Sequence, residues 1–125
     1  MVNTIPTRGE MERSLSQSLQ AFYRQQLSCR VGKISCHILD DKVAISVENS
    51  ITSIEKLLDS SDDRRFLRDR IDSIVKSEVM QKIKQNLGVE AIDLTINTTL
   101  ENNFTGILAF LREKPSMRYP KRGSS

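Results

Sequence analysis

One long helix constrains this chain more than any other feature. Leu67, Ile71, Ile74, Val75, Val79, Ile83 and Leu87 recur mostly at spacings of three and four, the repeat of a single face of an α-helix. Gly88 follows at once, and glycine closes a helix in the left-handed conformation at little cost. Upstream, Asp59-Ser60-Ser61-Asp62-Asp63 supplies an N-cap and carboxylates for the positive end of the helix dipole. The pattern predicts a helix over about 63–87. At 1.5 Å per residue such a helix is on the order of 36 Å long, more than a small domain needs. Its other face carries Arg64, Arg65, Arg68, Asp69, Asp72, Lys76, Lys82 and Lys84. That mixture reads as a solvated surface. An anion-binding role for Arg64, Arg65 and Arg68 is the alternative, and Asp62, Asp63, Asp69 and Asp72 among them argue against it.

The remaining elements are short and local. Thr7-Arg8-Gly9-Glu10 has the form of a capping box. Met11, Leu15, Leu19 and Phe22 then make one apolar stripe, which predicts a helix to about Gln26. Ile34, Cys36 and Ile38 alternate with Ser35 and His37, and Val43, Ile45 and Val47 alternate with Ala44, Ser46 and Glu48. Asp40-Asp41 is the turn between them, so the pair is an antiparallel hairpin. Thr52-Ser53-Ile54-Glu55 is a second capping box, opening a short helix with Ile54, Leu57 and Leu58 as its apolar residues. Ile92, Leu94 and Ile96 form a third strand. A polar loop, Thr98 to Asn103, leads to a fourth at Phe104–Leu111. That last run is apolar on both sides from Ile107 onward, as in a strand covered on both faces.

The order α-ββ-α-α-ββ describes an α+β fold: a four-stranded antiparallel sheet with the helices packed on one face. The body is expected over 7–111, between a flexible start at 1–6 and a basic, disordered tail at 112–125. Leu108 and Phe110 fall on the sheet face opposite Ile107, Ala109 and Leu111, and helices on one side leave them bare. A second copy of the chain is the simplest cover, so a homodimer through Leu108 and Phe110 is expected. The monomeric alternative folds the long helix onto the first.

Charge and chemistry exclude more than they assign. The 125 residues carry a net charge of +3. The tail holds Arg112, Lys114, Arg118, Lys121 and Arg122 against Glu113 alone, which leaves the body close to neutral. A nucleic-acid-binding domain more often shows a basic face on the fold itself. The longest apolar run is Ile107 to Leu111, far short of a membrane span. The opening residues lack an apolar stretch of signal-peptide length, so the cytoplasm is the expected compartment. There is no glycine-rich phosphate loop, no His-x-x-x-His and no Cys-x-x-Cys. Cys36 and the single His37 point to opposite faces of their strand and form no metal pair. No cofactor is expected, and the chain reads as a non-enzyme. Tyr23, beside Arg24 at the end of the first helix, is the aromatic expected to be most exposed. Tyr119 lies in the basic tail.

Several runs together resemble a family of small bacterial proteins. They are Arg8 to Arg24, Ile38 to Leu58 with Asp41-Lys42-Val43-Ala44-Ile45, Leu87-Gly88-Val89 to Leu94, and Thr105 to Leu111. The family is that of MpsC, a component of a Na+-translocating membrane-potential-generating system, and the resemblance covers about 7–111. Many members carry Gly-Lys-Gly-Pro after the first helix, where this chain has Gly32-Lys33-Ile34-Ser35. If that stretch holds a ligand in the family, Gly32 and Lys33 are the positions that carry over. The resemblance implies an accessory protein linked to membrane ion or inorganic-carbon transport, without itself supplying a reaction.

Three functional readings follow. The first is a non-enzymatic, homodimeric regulatory protein that binds an unidentified protein partner, with Gly32, Lys33, Tyr23 and Arg24 as candidate contacts. The second is a nucleic-acid-binding regulator using Arg64, Arg65, Arg68, Arg118, Lys121 and Arg122; the same tail suits an anionic membrane surface. The third is a small-ligand sensor.

Overall fold

The computed structural model describes residues 5–118. The elements run α1 (Arg8–Gln26), β1 (Ile34–Leu39), β2 (Lys42–Glu48), α2 (Ser53–Leu57), α3 (Ser61–Leu87), β3 (Ala91–Thr99) and β4 (Phe104–Leu111). This is the α+β order expected from the sequence. Both capping boxes form: Thr7 with Glu10 at α1, and Thr52 with Glu55 at α2. Helix α3 is capped by Ser60 and closed by Gly88 at φ 75°, in the left-handed region.

The four strands make one antiparallel sheet in the order β1-β2-β4-β3. The hairpins therefore meet through β2 and β4, which places the apolar run of β4 in an interior position. Asp40 takes a positive φ of 57° in the two-residue turn between β1 and β2. A bulge at Ala91/Asp93 pushes Ile92 out of the β3 ladder.

Helix α1 lies against β1, α3 lies against β3, and the two helices pack on each other. Leu15, Leu19, Val43, Val47, Val75, Val79, Ile83 and Ala109 are fully buried between these layers. Polar groups pin the helix pair: Ser14 shares a hydrogen bond with Asn86, and the Asn86 amide donates to Ser18.

Three expectations need correction. The apolar repeat predicts Ile74 in the buried stripe of α3, but it is 48% exposed. One face of a straight helix drifts relative to the sheet beneath it, and Ile71 and Val75 already fill the inward position. In α2 the polarity is reversed: Ile54 and Leu57 are 64% and 79% exposed, whereas Glu55 is 2% exposed. The chain beyond Leu111 is not free from residue 112. Pro115 is buried and Met117 packs on the core. Arg118 donates its backbone N–H to the Pro6 carbonyl at 2.8 Å and its guanidinium to the Ile5 carbonyl. The first half of the tail thus straps the start of α1, holding Ile5 and Pro6 with it. Lys121, Arg122 and Tyr119 lie outside the described residues.

Candidate functional site

The most heavily built polar feature is a buried cluster where α2 and α3 meet the ends of β2, β3 and β4. The α2 capping box turns Glu55 inward, because its carboxylate must reach back to the Thr52 N–H (2.7 Å). That orientation aims the remaining lone pairs at α3. Arg68 answers with a bidentate pair, Nε to Oε1 and Nη2 to Oε2, both 2.7 Å. Its Nη1 donates to Asp72 at 3.1 Å and to the Thr98 hydroxyl at 3.2 Å. The chain of hydroxyls continues from Thr98 to Thr105 and on to Ser50. Buried charge is tolerated because a bidentate, fully hydrogen-bonded pair offsets the loss of hydration.

The protonation states follow from this geometry. Burial pushes the Glu55 carboxyl up, but the Arg68 donors and the Thr52 N–H outweigh it and hold the group below its ordinary range. Asp72 goes the other way: burial raises it, and Arg68 recovers only part of that shift. Burial pushes the Cys36 thiol up to about 11 and also raises Cys29, so neither is a thiolate at neutral pH.

A pH dependence follows. Glu55, depressed in the folded state, contributes stability that is present above its unfolded value of about 4.5 and is lost as pH falls through the folded value. Asp72, raised on folding, contributes in the opposite sense: its share is present at low pH and is lost as pH rises through the folded value. The expected result is a steep fall in thermal midpoint below about pH 4.5 in the wild type. The Glu55→Gln variant starts lower at pH 7 and falls less steeply. Circular-dichroism melts from pH 7 to pH 3 check this, and parallel curves for the two proteins would refute it.

The residues singled out from the sequence scatter over the fold. Tyr23 is 1% exposed, its ring edge-on to Phe22 and its hydroxyl buried near Arg68, so it is a core residue and no surface contact. The last turn of α1 points inward at both 22 and 23, which a stripe ending at Phe22 did not signal. Arg24 stays exposed. Gly32 has a structural reason: its N–H donates to the Glu48 carbonyl at 2.6 Å, and a Cβ there would lie 3.1 Å from Glu48 and Asn49. Lys33 is exposed beside it. Arg68 is withdrawn from any solvated anion-binding face by Glu55 and Asp72. Arg64 and Arg65 remain near the surface. Arg118 reaches Glu10 at 3.5 Å. Sequence reasoning missed Glu55 as a core residue, although its place in the capping box was visible.

A second feature is the sheet face away from the helices. The register puts His37, Ala44, Leu108 and Thr95 in one cross-strand row, and Leu39, Lys42, Phe110 and Asp93 in the next. Leu108 is 37% exposed, and Leu39, Ile92 and Phe104 are exposed with it. A third is a cleft of about 580 Å³ between the start of α1, the end of β1 and the C-terminal strap. Its charges are matched: Arg8 with Glu12, Lys114 with Asp40. Glu12 also accepts the edge-strand N–H of Ile38 at 2.8 Å.

The model of the family described as Na+-translocating membrane potential-generating system (MpsC) matches residues 7–113, the whole sheet and all three helices. The chain belongs to this family. No curated protein and no solved structure matches it. The MpsC family is named for a system that moves sodium and generates a membrane potential. Among the described residues no helix is long and apolar enough to cross a membrane.

Proposed function

We propose that this MpsC-family protein is a non-catalytic accessory component of a membrane-potential-related system, acting as a cytoplasmic homodimer that contacts a protein partner. The observation that carries the reading is the bare sheet face. Large Leu108 on β4 lies directly across from small Ala44 on β2, with Phe110 across from Lys42 in the next row. A two-fold axis parallel to the strands, between β2 and β4, would set Leu108 of one copy over Ala44 of the other. Knob then meets hole twice, as an isologous interface requires. Burying Leu108 and Phe110 is worth about 1.5–3 kcal/mol each before association entropy is subtracted. The non-catalytic part is supported by how the buried ionisable groups are used: Glu55 and Asp72 are engaged by Arg68, and both thiols stay protonated.

Analytical ultracentrifugation of the full chain tests the assembly. The wild type is expected to sediment at twice 14.2 kDa in the low micromolar range. Leu108→Glu is expected to dissociate it, weakening association by at least about 100-fold. Cells carrying only Leu108→Glu should lose membrane potential, read with a voltage-sensitive dye, as fully as cells lacking the protein. A wild type monomeric at about 100 μM sinks the dimer. Normal potential without the protein sinks the accessory role.

A further inference from the structure

Three clefts adjoin along the seam between α2, the start of α3 and the β3–β4 turn. The first, about 320 Å³, is lined by residues including Arg30 and Lys56. The middle one, about 180 Å³, has Lys56 and Arg64 in its wall. The third, about 350 Å³, has Ser61, Arg64 and Arg65. Ile51, Lys56 and Asn103 are common to the first two, and Arg64 and Leu100 to the last two. The clefts therefore form one groove with Arg64 at its centre.

The charge of this groove is unbalanced. Among the described residues, Arg30, Lys56, Arg64 and Arg65 have no carboxylate within ion-pair distance. The one carboxylate in the wall, Glu55, has both oxygens occupied by Arg68 and Thr52. Asp62 and Asp63 do not line the groove, and Asp72 is held by Arg68. Arg64 makes one long hydrogen bond, to the Asp59 carbonyl at 3.4 Å. Its Nε is buried and without an acceptor among the described residues. A buried guanidinium donor left unsatisfied is costly, and an oxyanion is the partner that its planar fork fits best. The matched 580 Å³ cleft at the other end of the molecule shows no such surplus.

We propose that this groove binds a small ligand carrying two or more linked phosphate groups. Arg64 holds the central phosphate, with Lys56 on one side and Arg65 on the other. Leu100 and Ile51 supply an apolar wall. Cations on both sides of Arg64 favour a linked oxyanion over a single one, and clefts of a few hundred Å³ suit a small molecule rather than a duplex. The site needs no second copy of the chain, so its test is independent of the dimer.

Isothermal titration calorimetry of the full chain at 0.1 M salt, with inorganic tripolyphosphate, pyrophosphate and orthophosphate as probes, decides the matter. Tripolyphosphate is expected to bind saturably and at least about tenfold tighter than orthophosphate. Arg64→Ala is expected to weaken it at least about tenfold, Lys56→Ala several-fold, and Arg118→Ala not at all. Lys56 is exposed on α2 and Arg64 is half-buried on α3, and unchanged melting curves confirm that those variants fold. Amide shifts at Ser61–Arg65 and Lys56 should report the same site. No saturable binding by about 1 mM would overturn the proposal. So would equal affinity in Arg64→Ala, or a single-stranded oligonucleotide displacing tripolyphosphate at far lower concentration with a steep salt dependence.

Discussion

Arg68→Ala is expected to destabilise the fold by about 3–5 kcal/mol, the largest effect of any single polar substitution here. The reason is asymmetric. Removing the guanidinium leaves the Glu55 carboxylate at 2% exposure with only Thr52 to satisfy it, and it frees Asp72, Thr98 and the Ser50 carbonyl of a shared donor. For a domain of this size, the thermal midpoint should fall on the order of 15–30 °C. A paired replacement, Glu55→Leu with Arg68→Met, removes both charges and should recover most of the loss, because a buried ion pair is worth little against apolar groups of similar volume. Chemical denaturation of the three proteins measures both numbers. A loss below about 1 kcal/mol for Arg68→Ala would mean that water reaches the pair.

The second large effect contrasts two isoleucines of one helix. Ile83→Ala is expected to cost about 2–5 kcal/mol, and Ile74→Ala less than about 0.5 kcal/mol. Both belong to the same apolar repeat in the sequence. Ile83 is fully buried between α1, α3 and the sheet, whereas Ile74 is 48% exposed. Truncating Ile83 leaves a cavity that close-packed neighbours cannot refill. Urea denaturation of the two variants checks the contrast. Equal losses would show that Ile74 is covered in solution, which the homodimer through the opposite sheet face does not provide.

The local signals were legible. Thr7 with Glu10 and Thr52 with Glu55 are patterns three residues apart, and Gly88 sits at the closing turn of α3. Each acts through its immediate neighbours, so reading it requires no knowledge of the rest of the chain. The β1–β2 hairpin follows from alternation and a two-residue turn for the same reason. The candidate site was less legible. Arg68 and Glu55 are thirteen residues apart in different helices, and nothing in the spacing marks one arginine of three as the buried one. Arg64 and Arg65 gain their meaning only from cleft walls supplied by Ile51, Leu100 and Asn103.

What the sequence determined by itself was the set of elements, their order and their ends. These depend on hydrogen bonds and side-chain spacing within a few residues, which composition and periodicity encode directly. Only the tertiary structure decided which side of α2 faces inward, that Tyr23 is core, that Ile74 is not, and that Arg118 straps the first helix. Those choices turn on which surface another part of the chain brings near. In α2 the outcome runs against hydrophobicity, because the capping box that opens the helix turns Glu55 toward Arg68 and thereby sets Ile54 and Leu57 outward.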